Sequence, residues 1–195
     1  MAVEQGRTDY KVEAVIAKAM ADLKAYQRSA DGNKVERGIA IDVNTGAVLY
    51  DATGDAMRLD VSTGFGNDKK PLGDAGLRRF KAAMPLSVLD IHTHTGIGSM
   101  GERDWGAFVL PQIAEARLIT DDAVYVARKT AAFARLPEMV TTWQAVTALY
   151  NHLYDKLARD SRTTLLDEES VKAATIAASK GVALELRVVF ETLER

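Results

Sequence analysis

Two of the three histidines in this chain lie two residues apart, His92 and His94, and a carboxylate, Asp104, follows ten positions later across a glycine-rich loop. Side chains at i and i+2 of an extended strand leave the same face, so both imidazoles should point to one side. Two neutral imidazoles and one carboxylate form a ligand set suited to a catalytic zinc that keeps one position open for water. The alternative is a pair of surface histidines at a strand end, with Asp104 as the N-cap of the next helix.

The composition limits what else the protein can do. The chain has 195 residues, of which 47% are apolar, so one domain with a full core plus an extension is expected. The net charge of −2 gives no electrostatic reason to expect nucleic acid as a partner. Because cysteine is absent, any metal must be held by His, Asp or Glu.

The chain shows no targeting or membrane signal. Its N-terminus lacks the apolar core of a signal peptide, and no uncharged apolar stretch is long enough to span a membrane. We therefore expect a cytoplasmic protein without a membrane partner.

Apolar residues at three- and four-residue steps predict amphipathic helices. The predicted helices cover residues 10–29, 77–84, 104–114, 142–158 and 167–193. The first should stop at the Gly-containing stretch 30–33, and Pro111 should shorten or kink the third. The two C-terminal helices are expected to serve packing or self-association. His152, the third histidine, is interpreted as an ordinary residue of the fourth helix.

Alternating and β-branched segments predict the strands. They cover residues 38–43, 47–50, 57–62, 86–94, 117–120 and 124–127. The first two should form a hairpin around the turn at 44–46, and the last two a hairpin near the sheet edge. The polar, glycine-rich segment 63–76 is predicted to be a long loop that borders the substrate.

Glu36 stands just before the first predicted strand. Taken alone, a glutamate in this place is most simply interpreted as a solvated charge at the edge of the sheet.

Taken together, these residues and elements resemble the JAB/MPN metalloprotease superfamily, whose active members carry the JAMM motif. That motif pairs an upstream Glu with His-Ser/Thr-His-Pro and then with Ser-x-x-Asp. Here Glu36 matches the upstream Glu, His92-Thr93-His94 the histidine pair, and Asp104 the final Asp. The resemblance covers about residues 10 to 130, so the C-terminal helices lie outside it.

The chain departs from the motif in two places. Thr95 stands where the motif has proline, and the loop to the final Asp is one residue short. The shorter loop puts Gly101 at the serine position, while Ser99 lies two positions early.

The resemblance implies an α/β fold, with a central mixed β-sheet flanked by helices as in cytidine deaminases. The JAB/MPN-like domain would span residues 1–135, followed by a C-terminal helical extension over residues 136–195.

The resemblance also implies the chemistry. His92, His94 and Asp104 would bind Zn²⁺, and Glu36 would act as the base that takes a proton from a zinc-bound water. Ser99 is expected to donate to the oxyanion, with a backbone N–H near the loop glycines, or zinc alone, as the alternative. The family hydrolyses peptide or isopeptide bonds, often at the C-terminal tail of ubiquitin or a ubiquitin-like protein.

Two other functions are open at this point. The protein could be a non-catalytic MPN-like scaffold that binds protein partners, or a metal-dependent hydrolase of small amides. The complete set of motif residues favours the peptidase, whose partner would be a protein or peptide substrate. Metal analysis separates the peptidase from the scaffold, and a substrate panel separates it from the small-amide hydrolase.

Overall fold

The computed structural model contains both helices and strands and describes residues 10–29, 35–53, 59–60, 65–66, 74–94, 98–160 and 167–194. The described α-helices are α1 (Tyr10–Gln27), α2 (Asp74–Ala82), α3 (Glu102–Phe108), α4 (Trp143–Asp160) and α5 (Glu168–Glu185), with 3₁₀ turns at Phe133–Arg135 and Glu138–Val140. The described strands are β1 (Arg37–Asp42), β2 (Val48–Thr53), β3 (Leu59–Asp60), β4 (Phe65–Gly66), β5 (Val88–Thr93), β6 (Ile113–Ile119), β7 (Ala123–Arg128) and β8 (Val189–Glu194).

Six of these strands form one mixed sheet in the order β2-β1-β5-β6-β7-β8. Strands β5 and β6 are parallel, and the other neighbours in this sheet are antiparallel. Strands β3 and β4 pair separately. The predicted α/β class with a central mixed sheet is therefore confirmed.

The central strand β5 has apolar layers on both sides. Leu89 and Ile91 belong to one apolar cluster, which includes Leu23 of α1. Val88 belongs to a second cluster, which includes Trp105 of α3 and residues of α4 and α5. Because successive side chains of a strand point to opposite faces, the pleat of β5 directs Asp90 and His92 to the α3 side.

The connection from β5 to β6 carries α3. Parallel strands need a crossover, so the chain leaves the carboxyl end of β5, forms α3 and returns to start β6. The N–H of His94, just after β5, donates to the carbonyl of Ile119 at the end of β6 (2.9 Å). The carboxyl ends of both strands thus lie side by side, where the connection to α3 leaves the sheet.

The helix predicted over residues 104–114 is wrong at both ends. It begins at Glu102 and ends at Phe108. Pro111 lacks the N–H that a helix interior needs, and the residues from Ile113 onward join the sheet as β6.

The prediction that the last helix continues to residue 193 is also wrong. It ends at Glu185; Arg187 adopts a left-handed φ of 53°, and Val188 N–H donates to the carbonyl of Ala183 (3.0 Å). The following residues form β8 at the edge of the main sheet. The C-terminal extension is therefore not purely helical, because its last strand completes the sheet.

The hairpin predicted around residues 121–122 is confirmed as β6 and β7. It lies near the sheet edge as predicted, although the edge position itself is taken by β8, which covers β7. Residues beyond 135 also contribute Val146, Tyr150 and Val182 to the larger apolar cluster. The segment assigned to an extension thus shares a core with the sheet.

The predicted loop over 63–76 is wrong where it is described, since Phe65–Gly66 form β4 and α2 already begins at Asp74; the other elements agree with the predictions. Helices α1, α2 and α4 are present, and β1 and β2 form the first hairpin, with Gly46 at φ +72° in its turn. The stop signal at 30–33 and residues 63–64 and 67–73 of the predicted loop lie outside the described residues, as does most of the strand predicted over 57–62. Within the described part of the chain, none of the helices has the length and apolarity needed to cross a membrane.

Candidate metal centre

Three side chains converge at the carboxyl end of β5. Nε2 of His92 lies 3.2 Å from Oδ1 of Asp104, and Nε2 of His94 lies 3.3 Å from Oδ2 of the same carboxylate. One ligand atom from each residue falls within 4.8 Å of the others. Atoms bound tetrahedrally at about 2.0–2.1 Å from zinc are roughly 3.3 Å apart. The three residues could therefore hold a metal ion.

The strand pleat explains how the two imidazoles meet. His92 is the fifth residue of β5 and His94 follows the strand, so both leave the face that carries α3. Their ring centroids are 5.5 Å apart, with the ring planes tilted by 52°. The predicted convergence of the histidine pair is confirmed.

Asp104 reaches the histidines from the first turn of α3. Gly101 is the N-cap of this helix, and its N–H donates to Asp104 Oδ2 (2.7 Å). The prediction that Asp104 itself is the N-cap is wrong, because the helix starts two residues earlier. Its carboxylate instead reaches back to the N-cap N–H, an arrangement that also fixes its orientation toward the imidazoles.

Close packing against α4 holds α3 in place. A Cβ built on Gly106 would lie 2.7 Å from the ring of Trp143, so only glycine allows this approach. Asn151 of α4 also donates from Nδ2 to Glu102 Oε2 (2.6 Å). These contacts restrict the position of the helix that carries Asp104.

The charges of the site favour an ionised Asp104. Burial alone would raise the pKa of this carboxyl, but the charge of His94 and hydrogen bonds from both histidines lower it well below its usual range. Burial alone would lower the pKa of His92, but Asp104 and Asp90 outweigh burial and raise it well above its usual value. A metal that binds His92 must displace its proton, because only the neutral imidazole is a ligand.

Glu36 is buried beside the histidines, with 8% of its surface exposed. The register of β1 against β5 pairs Gly38 with His92, and Arg37 N–H donates to Thr93 Oγ1 (2.9 Å). Continuing this register two residues past the Gly38–His92 pair, just beyond the ends of both strands, places Glu36 opposite His94. Residues directly opposite in an antiparallel pair share a face, so Glu36 lies on the histidine face. The interpretation of Glu36 as a solvated edge charge is wrong.

Two further side chains contact the site, and neither was predicted from the sequence. Asp90 accepts a hydrogen bond from Nδ1 of His92 (3.0 Å), and the hydroxyl of Tyr50 donates to the other Asp90 oxygen. The i, i+2 rule that selects the histidine pair also puts Asp90 on their face. Tyr50 lies two strands away, so only the strand register could reveal it.

Ser99 lies in a buried hydrogen-bond network with α5, and 2% of its surface is exposed. Ser179 donates to the carbonyl of Met100 (2.8 Å) and accepts from Nε1 of Trp105 (3.1 Å). A serine hydroxyl has one proton, so Ser99, whose Oγ lies 3.0 Å from that of Ser179, must be the donor to it. Donation by Ser99 to an oxyanion would require this bond to break, and that role stays a prediction.

Replacing Ser99 or Ser179 by alanine tests which role Ser99 has. We expect both variants to lose stability, by about 0.5–1.5 kcal/mol per lost hydrogen bond, and to keep their metal. Because the Ser99 proton is committed to Ser179, we expect similar turnover in both variants. A kcat about 10²–10³-fold lower in Ser99→Ala alone would instead identify Ser99 as the oxyanion donor. The measurements are metal content, unfolding and steady-state kinetics.

His152 is exposed on α4, in agreement with its interpretation as an ordinary helix residue.

Comparisons with protein families, curated proteins and solved structures find no match for this chain. The JAB/MPN resemblance therefore rests on the motif residues.

Proposed function

We propose that this protein is a zinc-dependent hydrolase of peptide or isopeptide bonds with a JAB/MPN-like fold. The observation that carries the proposal is the convergence of His92, His94 and Asp104, with the buried Glu36 just before the neighbouring strand β1. The mixed sheet with helices on both faces is compatible with such a fold.

The ligand set supports zinc as the metal. Two imidazoles and one carboxylate, without cysteine, are typical of catalytic zinc sites, which keep a position open. When bound, zinc would lower the pKa of water to about 7 and polarise the carbonyl of the scissile bond. His92 is held by β5 and Asp104 by the first turn of α3, both of which are packed against the core, and His94 directly follows β5.

The protein's own proton carrier would be Glu36. Its carboxylate would accept a proton from the attacking water and pass it to the nitrogen of the leaving amine. Its place on the histidine face supports this role, because a base must come within hydrogen-bond reach of the water it activates.

The substrate that we propose is a protein or peptide chain. Members of the JAB/MPN superfamily often cleave at the tail of a ubiquitin-like protein, which makes such a tail one candidate. Self-association through the C-terminal helices stays a prediction. Leu184 of α5, with 78% of its surface exposed, is a candidate contact for it.

Metal removal and restoration test the proposed function. We expect the protein to cleave peptide or isopeptide substrates, to lose this activity after dialysis against a chelator, and to regain it with about one zinc per chain. Fluorogenic peptides, ubiquitin-like fusions and small amides form the substrate panel. Cleavage that persists in verified metal-free protein would contradict the proposal, and cleavage of small amides alone would support the small-amide hydrolase.

A further inference from the structure

We infer that Asp90 and Tyr50 form a positioning pair that fixes the ring orientation and tautomer of His92 for metal binding. The inference rests on the proposed metal site, but it concerns residues that the motif does not contain.

The contacts form a chain across the sheet. Tyr50 of β2 donates to Asp90 Oδ1, and Asp90 Oδ2 lies 3.0 Å from Nδ1 of His92. Nε2 on the other side of the imidazole faces Asp104. All three residues of the chain are buried, with exposed fractions of 5% for Tyr50, 7% for Asp90 and 9% for His92.

The strand register allows Tyr50 to reach Asp90. Ala40 of β1 pairs with Tyr50 on one side and with Asp90 on the other, so the three residues form one row on the same face. Neighbouring strands are about 4.8 Å apart, which puts the outer two backbones roughly 10 Å from each other. The small side chain of Ala40 leaves room for the tyrosine to lie across the row, and a larger residue there would block it.

The donor and acceptor roles determine the tautomer of His92. An ionised carboxylate only accepts hydrogen bonds, so the ring nitrogen next to Asp90 carries the hydrogen. Nε2 faces the second carboxylate, Asp104, and its proton is the one that a bound metal would displace, so the remaining hydrogen would stay on Nδ1 and the lone pair of Nε2 would face the metal. An outer carboxylate of this kind orients a metal-binding histidine and raises its basicity as a ligand.

The test uses Asp90→Asn and Tyr50→Phe, which keep the shape of each side chain. Tyr125→Phe is the matched control, because Tyr125 is buried in β7 of the same sheet, stacked on Phe190, and separated from His92 by Leu118 of the intervening strand, as Tyr50 is separated from Asp90 by Ala40. Each protein is measured for zinc affinity by chelator competition and for unfolding in the metal-free state. ¹⁵N NMR of the zinc-loaded protein reports the tautomer of His92.

We expect zinc affinity to fall about 10–100-fold in Asp90→Asn, the usual cost of removing an outer partner of a metal ligand. The loss in Tyr50→Phe should be smaller, and Tyr125→Phe should bind zinc as the wild type does. The NMR signals should show hydrogen on Nδ1 of His92 in the wild type and a changed signal in Asp90→Asn.

Wild-type zinc affinity in Asp90→Asn would overturn the inference and leave the proposed function standing, whereas a wild-type protein without zinc would overturn both. Equal losses in Tyr50→Phe and Tyr125→Phe would also overturn it, because they would reflect general loosening of the sheet. If Asp90→Asn does not fold, Tyr50→Phe decides: unchanged zinc affinity would overturn the inference, and a loss absent from Tyr125→Phe would support it.

Discussion

Replacing His94 by alanine is expected to remove the metal from the purified protein. The imidazole supplies one of the three protein ligands found among the described residues, and two ligands cannot hold zinc in the tetrahedral site that we propose. Removal of an outer hydrogen-bond partner of a ligand lowers metal affinity about 10–100-fold, and the loss of zinc affinity in His94→Ala should be larger. His92→Ala and Asp104→Ala should have the same effect. Elemental analysis after gel filtration, starting from about one zinc per chain in the wild type, measures it.

His152→Ala is the matched control, because His152 is the histidine outside the cluster and is exposed on α4. It should keep the zinc content of the wild type. The side chain of His94 is 22% exposed, so its truncation removes little of the core, and the metal-free variant should remain folded. Full zinc occupancy in His94→Ala would contradict the ligand assignment.

The part of the site that depends on local geometry was predictable. A strand places residues i and i+2 on one face wherever the strand lies in the protein, so the His92–His94 pair needed no knowledge of the fold. The helix α4 and the two hairpins follow equally local patterns of period 3.6 or 2. Asp104 was predicted from the order of the motif residues. Its place in the first turn of α3 was not predicted.

The missed features depend on contacts between distant parts of the chain. Tyr50 meets Asp90 because of the register of three strands, and Ser179 meets Ser99 because α5 packs on the loop before α3. The burial of Glu36 likewise follows from the pairing of β1 with β5. Strand β8 was hidden for another reason: Val189 and Leu193 are four residues apart, a spacing that an amphipathic helix also shows.

Replacing Glu36 by glutamine is expected to abolish most of the activity while leaving the metal in place. Glutamine has nearly the same size and shape, so it should fill the buried site, but it cannot take a proton from water. The loss of a general base typically lowers the rate by about 10²–10⁴-fold. Metal content and kcat/KM, measured on the same preparation, separate this result from the ligand variants, which should lose both.

The control for Glu36→Gln should remove another partly buried carboxylate from the same sheet. Glu115 of β6 is suitable, because its side chain is 14% exposed and pairs with Arg117 and Arg128. Leu118 lies three positions after Glu115 on β6 and belongs to the apolar cluster on the histidine side of the sheet. Side chains an odd number of positions apart on a strand point to opposite faces, so Glu115 points away from the histidines. Glu115→Gln should therefore leave activity near that of the wild type. Loss of zinc together with activity in Glu36→Gln would make Glu36 a ligand, and unchanged activity would end its role as the base.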